Sequence, residues 1–390
     1  MMPKNRHFET DAIRTQTPSS DQCEHSYPLY MTSSFTFESA EHARAIFASE
    51  MEGNIYSRYS NPNTDEFITK VCRLEGTEAG VATASGMAGI FTTLAGLLNQ
   101  GDHILASRSL FGSSHQILSQ ILPRWGISFT YADTNKLESW ESLIRPNTKV
   151  LFLETPSNPG LDLIDLNWAG TLAKAHNLIY VVDNCFATPY LQRPMEHGAD
   201  IVTHSATKFI DGQGRAIGGI IVGSEEPMEK IQFFARHTGP SMSPFNAWLF
   251  SKSLETLSVR MDRHCDNAEK LAKFLGDHKN VNFVKYPHHK DHPQFELAKK
   301  QMKRGGGVVC FEIAGGFEKA KSFIDRIKLL SRSANLGDTR TIVTHPASTT
   351  HSKLTEEERE AVGITPGLIR IAVGLEHVDD IIRDVQQALG

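Results

Sequence analysis

The 390-residue chain has no stretch approaching the roughly 18 consecutive apolar residues that a membrane span needs. Its first residues, MMPKNRHFETDAIRTQ, contain no apolar segment of the kind a secretory leader carries. Both absences predict a cytoplasmic protein with no membrane partner. Cysteine is sparse: the five residues at 23, 72, 185, 265 and 310 show no C-x-x-C spacing, which speaks against a zinc ribbon or a redox dithiol and suits a reducing compartment. A long basic run is also missing, and 45 acidic against 40 basic residues leave a net charge of −5, so nucleic acid is not an expected partner. No internal repeat or low-complexity tract stands out. What remains, 40% hydrophobic and 22% charged residues, is an ordinary composition with enough material for one large domain and an appended one.

The chain is rich in alternation. Apolar strand patterns at 79–84, 102–107, 127–132, 148–153, 178–183, 200–204 and 217–223 are separated by helical patterns. This predicts an α/β fold, a mainly parallel seven-stranded sheet with helices on both faces. One helix spans about 64–74, with Asn63 or Thr64 as its cap, Asp65 and Glu66 complementing the dipole, and Gly76 ending it. Another runs from Gly86 through Leu98. A long helical pattern over 245–278 leads into strands near 281–285, 306–313 and 367–373 and helices at 317–327 and 376–388, a smaller C-terminal α+β domain. Residues 1–60 carry little periodicity and read as a mobile tail or as an arm ordered by packing on another subunit. The expected division is 1–60, 61–250 and 251–390.

Three segments carry chemistry. In HSATKF, Lys208 follows a strand; a lysine forms a Schiff base with an aldehyde and afterwards serves as a movable base. IYVVDN, residues 179–184, delivers Asp183 to the carboxyl end of a buried strand, where open α/β sheets bind ligands. A carboxylate there suits a pyridinium nitrogen, which it holds protonated so that the ring remains an electron sink. In ASGMAGI, residues 84–90, the amides of Gly86 and Met87 open a helix whose dipole favours a phosphate. The set points to pyridoxal 5'-phosphate.

Each member also has a plainer reading. Lysines are mostly solvated, and an aspartate at a strand end commonly serves a turn or a cap. Strand–glycine–helix junctions mostly bind nothing. Arg370 on an alternating strand suits a surface ion pair, Asn158 before Pro159 a turn, Tyr56 and Arg58 an exposed loop, and Phe111 the core. The run PHHKDH, residues 287–292, matches neither a helix face nor a zinc module, and its flanking prolines predict an exposed turn, so no metal is expected there. Ser205 to Lys208 spells S-x-x-K, but the S-D-N and K-T-G tripeptides that accompany it in acyl transferases do not occur.

The ordered set YSRYSNPN (56–63), ASGMAG (84–89), SRSLFG (107–112), ETPSNP (154–159), VVDNCFATP (181–189), GADIVTHSATKF (198–209) and GLIRIAVGLE (367–376) resembles the Cys/Met metabolism, or trans-sulfuration, family of pyridoxal phosphate enzymes almost end to end. KFIDGQGR (208–215), Phe111 and SANLGD (333–338) most resemble its O-succinylhomoserine sulfhydrylases. The resemblance implies the fold type I of pyridoxal phosphate-dependent transferases, with Lys208 as the Schiff-base lysine and Asp183 on the pyridine nitrogen. It implies that Ser205 and Thr207 join the amides of Gly86 and Met87 on the phosphate, that Phe111 stacks on the ring, and that Tyr56 and Arg58 reach the phosphate from a neighbouring subunit of a homotetramer. Asn158 would lie near the ring oxygen, and Arg370, whose fork of donors matches a carboxylate, would grip the substrate α-carboxylate.

Two departures bear on the substrate. Many family members, notably the lyases, have a proton-relaying tyrosine where this chain has Phe111, and the lyases tend to have serine where Asn335 stands. A carboxylate leaving group, with a conjugate acid near about 4.3, departs without a proton, whereas a thiol near roughly 8.5 benefits from one. Phe111 therefore fits an amino-acid ester such as O-succinylhomoserine, with sulfide as the second substrate, in a γ-replacement yielding homocysteine and succinate. Cystathionine γ-synthase, O-acetylhomoserine sulfhydrylase and the γ-lyases remain the alternatives.

Overall fold

The computed structural model describes residues 6–134, 136–352, 355–360 and 362–390. Seven apolar runs form strands β1 (Ala79–Thr83), β2 (His103–Ser107), β3 (Ser128–Ala132), β4 (Thr148–Glu154), β5 (Ile179–Asp183), β6 (Ile201–His204) and β7 (Gly219–Gly223). They make one sheet in the order β1-β7-β6-β5-β4-β2-β3. Strands β3, β2, β4, β5 and β6 are parallel, and β7 is antiparallel to both neighbours. All seven expected strands are present, within two residues of their expected bounds.

Both faces of the sheet are apolar because both are covered. In β4, Val150 and Phe152 join a core with Ile90, Leu94 and Ile231, whereas Leu151 and Leu153 join another with Phe67, Val71 and Phe250. The first core is closed by helices Gly86–Leu97 and Glu225–Thr238, the second by Pro62–Glu75 and Pro244–Leu254. Successive residues of one strand thus belong to different layers, which explains why the strands read as continuous apolar runs rather than alternating ones.

Local capping departs from expectation in an instructive way. The cap of helix Pro62–Glu75 is Asn61, not Asn63 or Thr64. The Asn61 side chain accepts the Asn63 N–H at 2.9 Å, and the Thr64 hydroxyl accepts the Asn61 N–H at 3.2 Å. Pro62 occupies the first helical position, where a missing N–H is no loss. Asn63 works elsewhere: it accepts from the Tyr30 amide at 2.7 Å and donates to the Pro28 carbonyl at 2.8 Å, tying the N-terminal segment to the helix. Gly76 ends the helix with φ 79°, a left-handed conformation that glycine adopts freely. The pattern over 245–278 is two helices, Pro244–Leu254 and Leu257–Gly276. Between them the Arg260 guanidinium takes the Ser253 carbonyl at 2.9 Å, an acceptor that a continuous helix would have used itself.

The smaller sheet comprises β8 (Val281–Lys285), β9 (Val308–Ile313), β10 (Ser331–Arg332), β11 (Ile342–Thr344) and β12 (Leu368–Ala372), in the order β10-β11-β12-β9-β8. Its core of Leu271, Phe311, Phe323, Ile369 and Ile381 is covered by helices Leu257–Gly276, Gly316–Arg326 and Val378–Leu389. Strands β10 and β11 were not expected; at two and three residues they are too short to show a period. The 287–292 turn is not simply exposed, since His292 is buried with Nε2 on the Leu161 carbonyl at 3.2 Å. Residues 6–60 include short helices at Phe8–Arg14 and Ala40–Phe47. Among the described residues no helix is long and apolar enough to cross a membrane.

Asn61 also donates to the Tyr30 carbonyl and to the Ser57 hydroxyl, both at 3.1 Å, and it is fully buried. Asn61→Ala should lower stability by about 1–3 kcal/mol through the lost cap and the unpaired groups it leaves, measured by urea unfolding.

Candidate active site

The carboxyl ends of β4, β5 and β6 deliver Glu154, Asp183 and His204 to one side of the large sheet. Strand β12 of the smaller sheet brings Arg370 to the same place. Between them lies a cavity of about 440 Å³ whose lining includes Gly86, Met87, Phe111, Asn158, Asp183, Ser205, Thr207, Lys208, Asn335 and Arg370. Ten of the twelve residues expected at the site therefore converge, from segments spread over nearly 300 positions. Tyr56 and Arg58 do not line this cavity. Arg58 donates to the Arg236 carbonyl and lies with its guanidinium carbon 4.5 Å from the Tyr59 ring centre, and Tyr56 is 42% exposed.

The Lys208 ammonium donates to the Asn335 side-chain oxygen at 2.6 Å. Burial lowers the pKa of this amine, and the nearby Arg370 charge lowers it further, which favours the neutral, nucleophilic form. Arg370 is 1% exposed and held as a fork: Nη1 donates to Asn158 Oδ1 at 2.8 Å, Nη2 to the carbonyls of Ala334 and Asn335 at 3.0 and 3.2 Å. Burial pulls its pKa down to about 10, so it stays cationic at neutral pH. Its Nε is buried with no partner among the described residues. A buried guanidinium left partly unpaired at a cavity wall is suited to an incoming carboxylate.

On the opposite side, Asp183 and Glu154 face each other in register on β5 and β4. Burial pushes the Asp183 carboxyl up to about 6, opposed by the Cys185 amide, which donates to it at 3.0 Å, and by the charge of His204. Burial and the neighbouring Asp183 push Glu154 well above the carboxylate range, although it accepts the Phe111 amide at 2.7 Å. Two buried carboxyl groups so close to each other, with the charge of His204 acting on Asp183 alone, leave room for a cationic ring nitrogen.

The Gly86 end is built by close approach. A Cβ on Gly86 would fall 2.6 Å from that of Ser205, so only glycine lets helix Gly86–Leu97 start against the Ser205 turn. Ser85 caps that helix by accepting the Ala88 amide at 3.1 Å, which leaves the Gly86 and Met87 amides for another acceptor. Thr207 shares its hydroxyl with the Gly218 backbone, accepting at 3.1 Å and donating at 3.2 Å. An aldehyde-reactive amine, an acidic partner for a ring nitrogen and a helix start for a phosphate suit pyridoxal phosphate together.

Sequence reasoning missed Glu154, Cys185, Phe186, His204 and Thr350, which also line the cavity. Glu154 and His204 stand inside recognised motifs and could have been found there as ionisable residues closing apolar strands. Thr350 gave no signal, because nothing local announces that the 345–351 turn reaches the cavity.

The Asp183 result has a pH consequence. With its folded pKa raised, the carboxyl holds a proton between about pH 4 and 6 that the unfolded chain has released. Its stabilisation is complete below about pH 4 and lost as the pH rises through about 6. In cofactor-free protein, Asp183→Asn should remove that loss and gain roughly 1–3 kcal/mol near neutral pH. Urea unfolding on both sides of the window measures it, and equal stability of the two proteins near neutrality would contradict it.

Residues 9–390 match the sequence profile of the family described as Cys/Met metabolism PLP-dependent enzyme. The chain is 45% identical over 382 residues to an O-succinylhomoserine sulfhydrylase of Pseudomonas aeruginosa, covering 98% of this chain and 95% of that one. It is equally similar, 45% over 365 residues, to an L-methionine gamma-lyase of Fusobacterium nucleatum, covering 93% and 92%. In structure it resembles a Campylobacter jejuni chain provisionally named O-acetylhomoserine (thiol)-lyase, which carries N'-pyridoxyl-lysine-5'-monophosphate, with a TM-score of 0.95, 34% identity and coverage of 98% and 100%. The acidic pair, the buried amine and the helix start thus belong to a pyridoxal phosphate enzyme, and the chain is a member of the Cys/Met metabolism, or trans-sulfuration, family.

Proposed function

We propose that the protein catalyses γ-replacement on O-succinyl-L-homoserine, with sulfide as nucleophile, releasing L-homocysteine and succinate for methionine biosynthesis. When bound, pyridoxal phosphate supplies an electron sink for a carbanion at the amino-acid α-carbon. In this reading the Lys208 amine, moving off Asn335, removes the α-proton and shuttles protons at the β-carbon: a β-proton leaves so that the γ-bond can break, and protons return to the β- and α-carbons once sulfur has added. Arg370 holds the α-carboxylate, with Asn158 and the 334–335 carbonyls fixing the plane of the fork. Bound there, the cofactor would have its ring nitrogen held by Asp183, its ring by Phe111 and its phosphate by Ser205, Thr207 and the amides of Gly86 and Met87, all of which line the one cavity. At the γ-carbon the bond to the succinate oxygen breaks and a bond to sulfur forms.

The observation that carries the ester reading is the cavity wall itself. Among the described residues of a single chain no tyrosine lines it, and the ring at position 111, where the proton-relaying tyrosine of lyases would stand, has no hydroxyl. A leaving group that needs no proton fits such a wall; a thiolate does not. The similarity to methionine gamma-lyases supports a second reading, elimination from a thioether.

The same reading makes residues 1–60 an arm that packs on a neighbouring subunit, with 61–250 as the cofactor domain and 251–390 as the C-terminal domain. It is supported by Tyr56 and Arg58, which lie outside their own chain's cavity on an exposed loop. Active sites would then be completed across an interface within a homotetramer, in the cytoplasm.

Purified enzyme given O-succinylhomoserine with sulfide or with cysteine should form homocysteine faster than cystathionine; the reverse order overturns the choice of nucleophile. Phe111→Tyr should raise methionine cleavage about tenfold or more while succinate release stays within severalfold, and no gain would remove the phenol argument.

A further inference from the structure

Behind the cofactor cavity lies a polar cluster that the proposed chemistry does not use. Glu75 is the last residue of helix Pro62–Glu75 and is fully buried. A single oxygen of it, Oε1, accepts from His204 Nε2 at 2.6 Å and from Asn184 Nδ2 at 3.1 Å. Asn184 follows Asp183, and His204 precedes Ser205. One carboxylate oxygen therefore fastens the end of β5, which carries the residue assigned above to the ring nitrogen, to the end of β6, which leads into the turn assigned to the phosphate.

The alternative is a buried ion pair that serves stability alone. Three observations speak against it. His204, although buried, also contributes to the lining of the cavity. Its Nδ1 and the second Glu75 oxygen are both buried without a partner among the described residues, a costly arrangement for a purely structural pair. The charge of His204 also opposes the burial of Asp183, so the cluster is felt at the ring-nitrogen carboxylate. The Asn184 side chain is locked in turn, since it donates to the Gln192 carbonyl at 2.8 Å and accepts from Gln192 Nε2 at 3.0 Å, so the clamp is anchored on both sides.

Resting on the function proposed above, we propose that Glu75 is a positioning residue for the cofactor: through His204 and Asn184 it sets the spacing between the ring-nitrogen end and the phosphate end of the site, and through His204 it sets the electrostatic surroundings of the strand end that carries Asp183. Around Asp183 the other titratable groups are Glu154 on β4, Cys185 after β5, and Lys208 in the turn that follows β6. Among the described residues Glu75 pairs with His204 and Asn184 and forms no hydrogen bond or ion pair with these three, so its effect is separable from theirs.

The test compares holoenzyme with Glu75→Ala, Glu75→Gln and His204→Asn. Loss of the shared acceptor in Glu75→Ala should weaken pyridoxal phosphate binding by about tenfold to a hundredfold, read by cofactor titration, with unfolding midpoints checked alongside. Glu75→Gln, which keeps the acceptor and drops the charge, should restore most of that affinity yet still move the pH at which the bound cofactor's visible absorbance changes. His204→Asn should move the same absorbance transition and serves if Glu75→Ala does not fold. Unaltered affinity in folded Glu75→Ala, or absorbance transitions identical to the parent in both Glu75→Gln and His204→Asn, would overturn the proposal.

Discussion

The site depends on an electrostatic division among buried and half-buried groups around one cavity. Lys208 and Arg370 stand on one side, Asp183 and Glu154 on the other, all buried or nearly so. In such surroundings an unpaired charge is costly, and each of the four is held by a specific partner: Asn335 for Lys208, Asn158 and two carbonyls for Arg370, the Cys185 amide for Asp183, the Phe111 amide for Glu154. Burial presses both cations toward lower pKa values and both acids toward higher ones. A cofactor with a cationic ring nitrogen and an electrophilic carbonyl relieves the strain of both sides at once. Its binding is thus built into the arrangement of groups rather than added to it.

That division requires two sheets. A parallel sheet exposes its useful residues at the carboxyl ends of its strands, and here three adjacent strands end in Glu154, Asp183 and His204. The turn after β6 adds Lys208, but this sheet does not supply the arginine. Arg370 comes instead from the middle of β12, opposite Cys310 on β9, and is aimed at the cavity by Asn158 from the turn after β4. The contact between domains is therefore also the contact between the two halves of the site. The Leu257–Gly276 helix contributes to both cores, through Leu257, Met261 and Cys265 on one side and Leu271 and Leu275 on the other, and so fixes the relation of the two sheets.

Much of this was legible beforehand, for identifiable reasons. The seven strands of the large sheet are buried on both faces and bounded by turn residues, so their sequence signal is strong. Lys208, Asp183 and Gly86 sit at strand ends or helix starts, where local pattern alone positions them. The cap at Asn61 was misplaced because Asn61, Asn63 and Thr64 are all good caps, and the choice among them is made by Pro28, Tyr30 and Ser57, partners distant in the chain. The break between the helices at 254 and 257 was hidden for a similar reason, as Arg260 reaches back to Ser253 and across to Phe209.

The sequence by itself determined the secondary structure of the large sheet through its periodicity, and the cofactor together with most of the residues that line the cavity through an ordered set of family motifs. Only the tertiary structure decided that Asn335 restrains the lysine, that Glu154 holds Phe111, that Thr350 reaches the cavity and that Tyr56 and Arg58 do not. Each of those depends on where segments far apart in the chain come to rest, a matter of packing and of satisfying buried polar groups that no local pattern encodes.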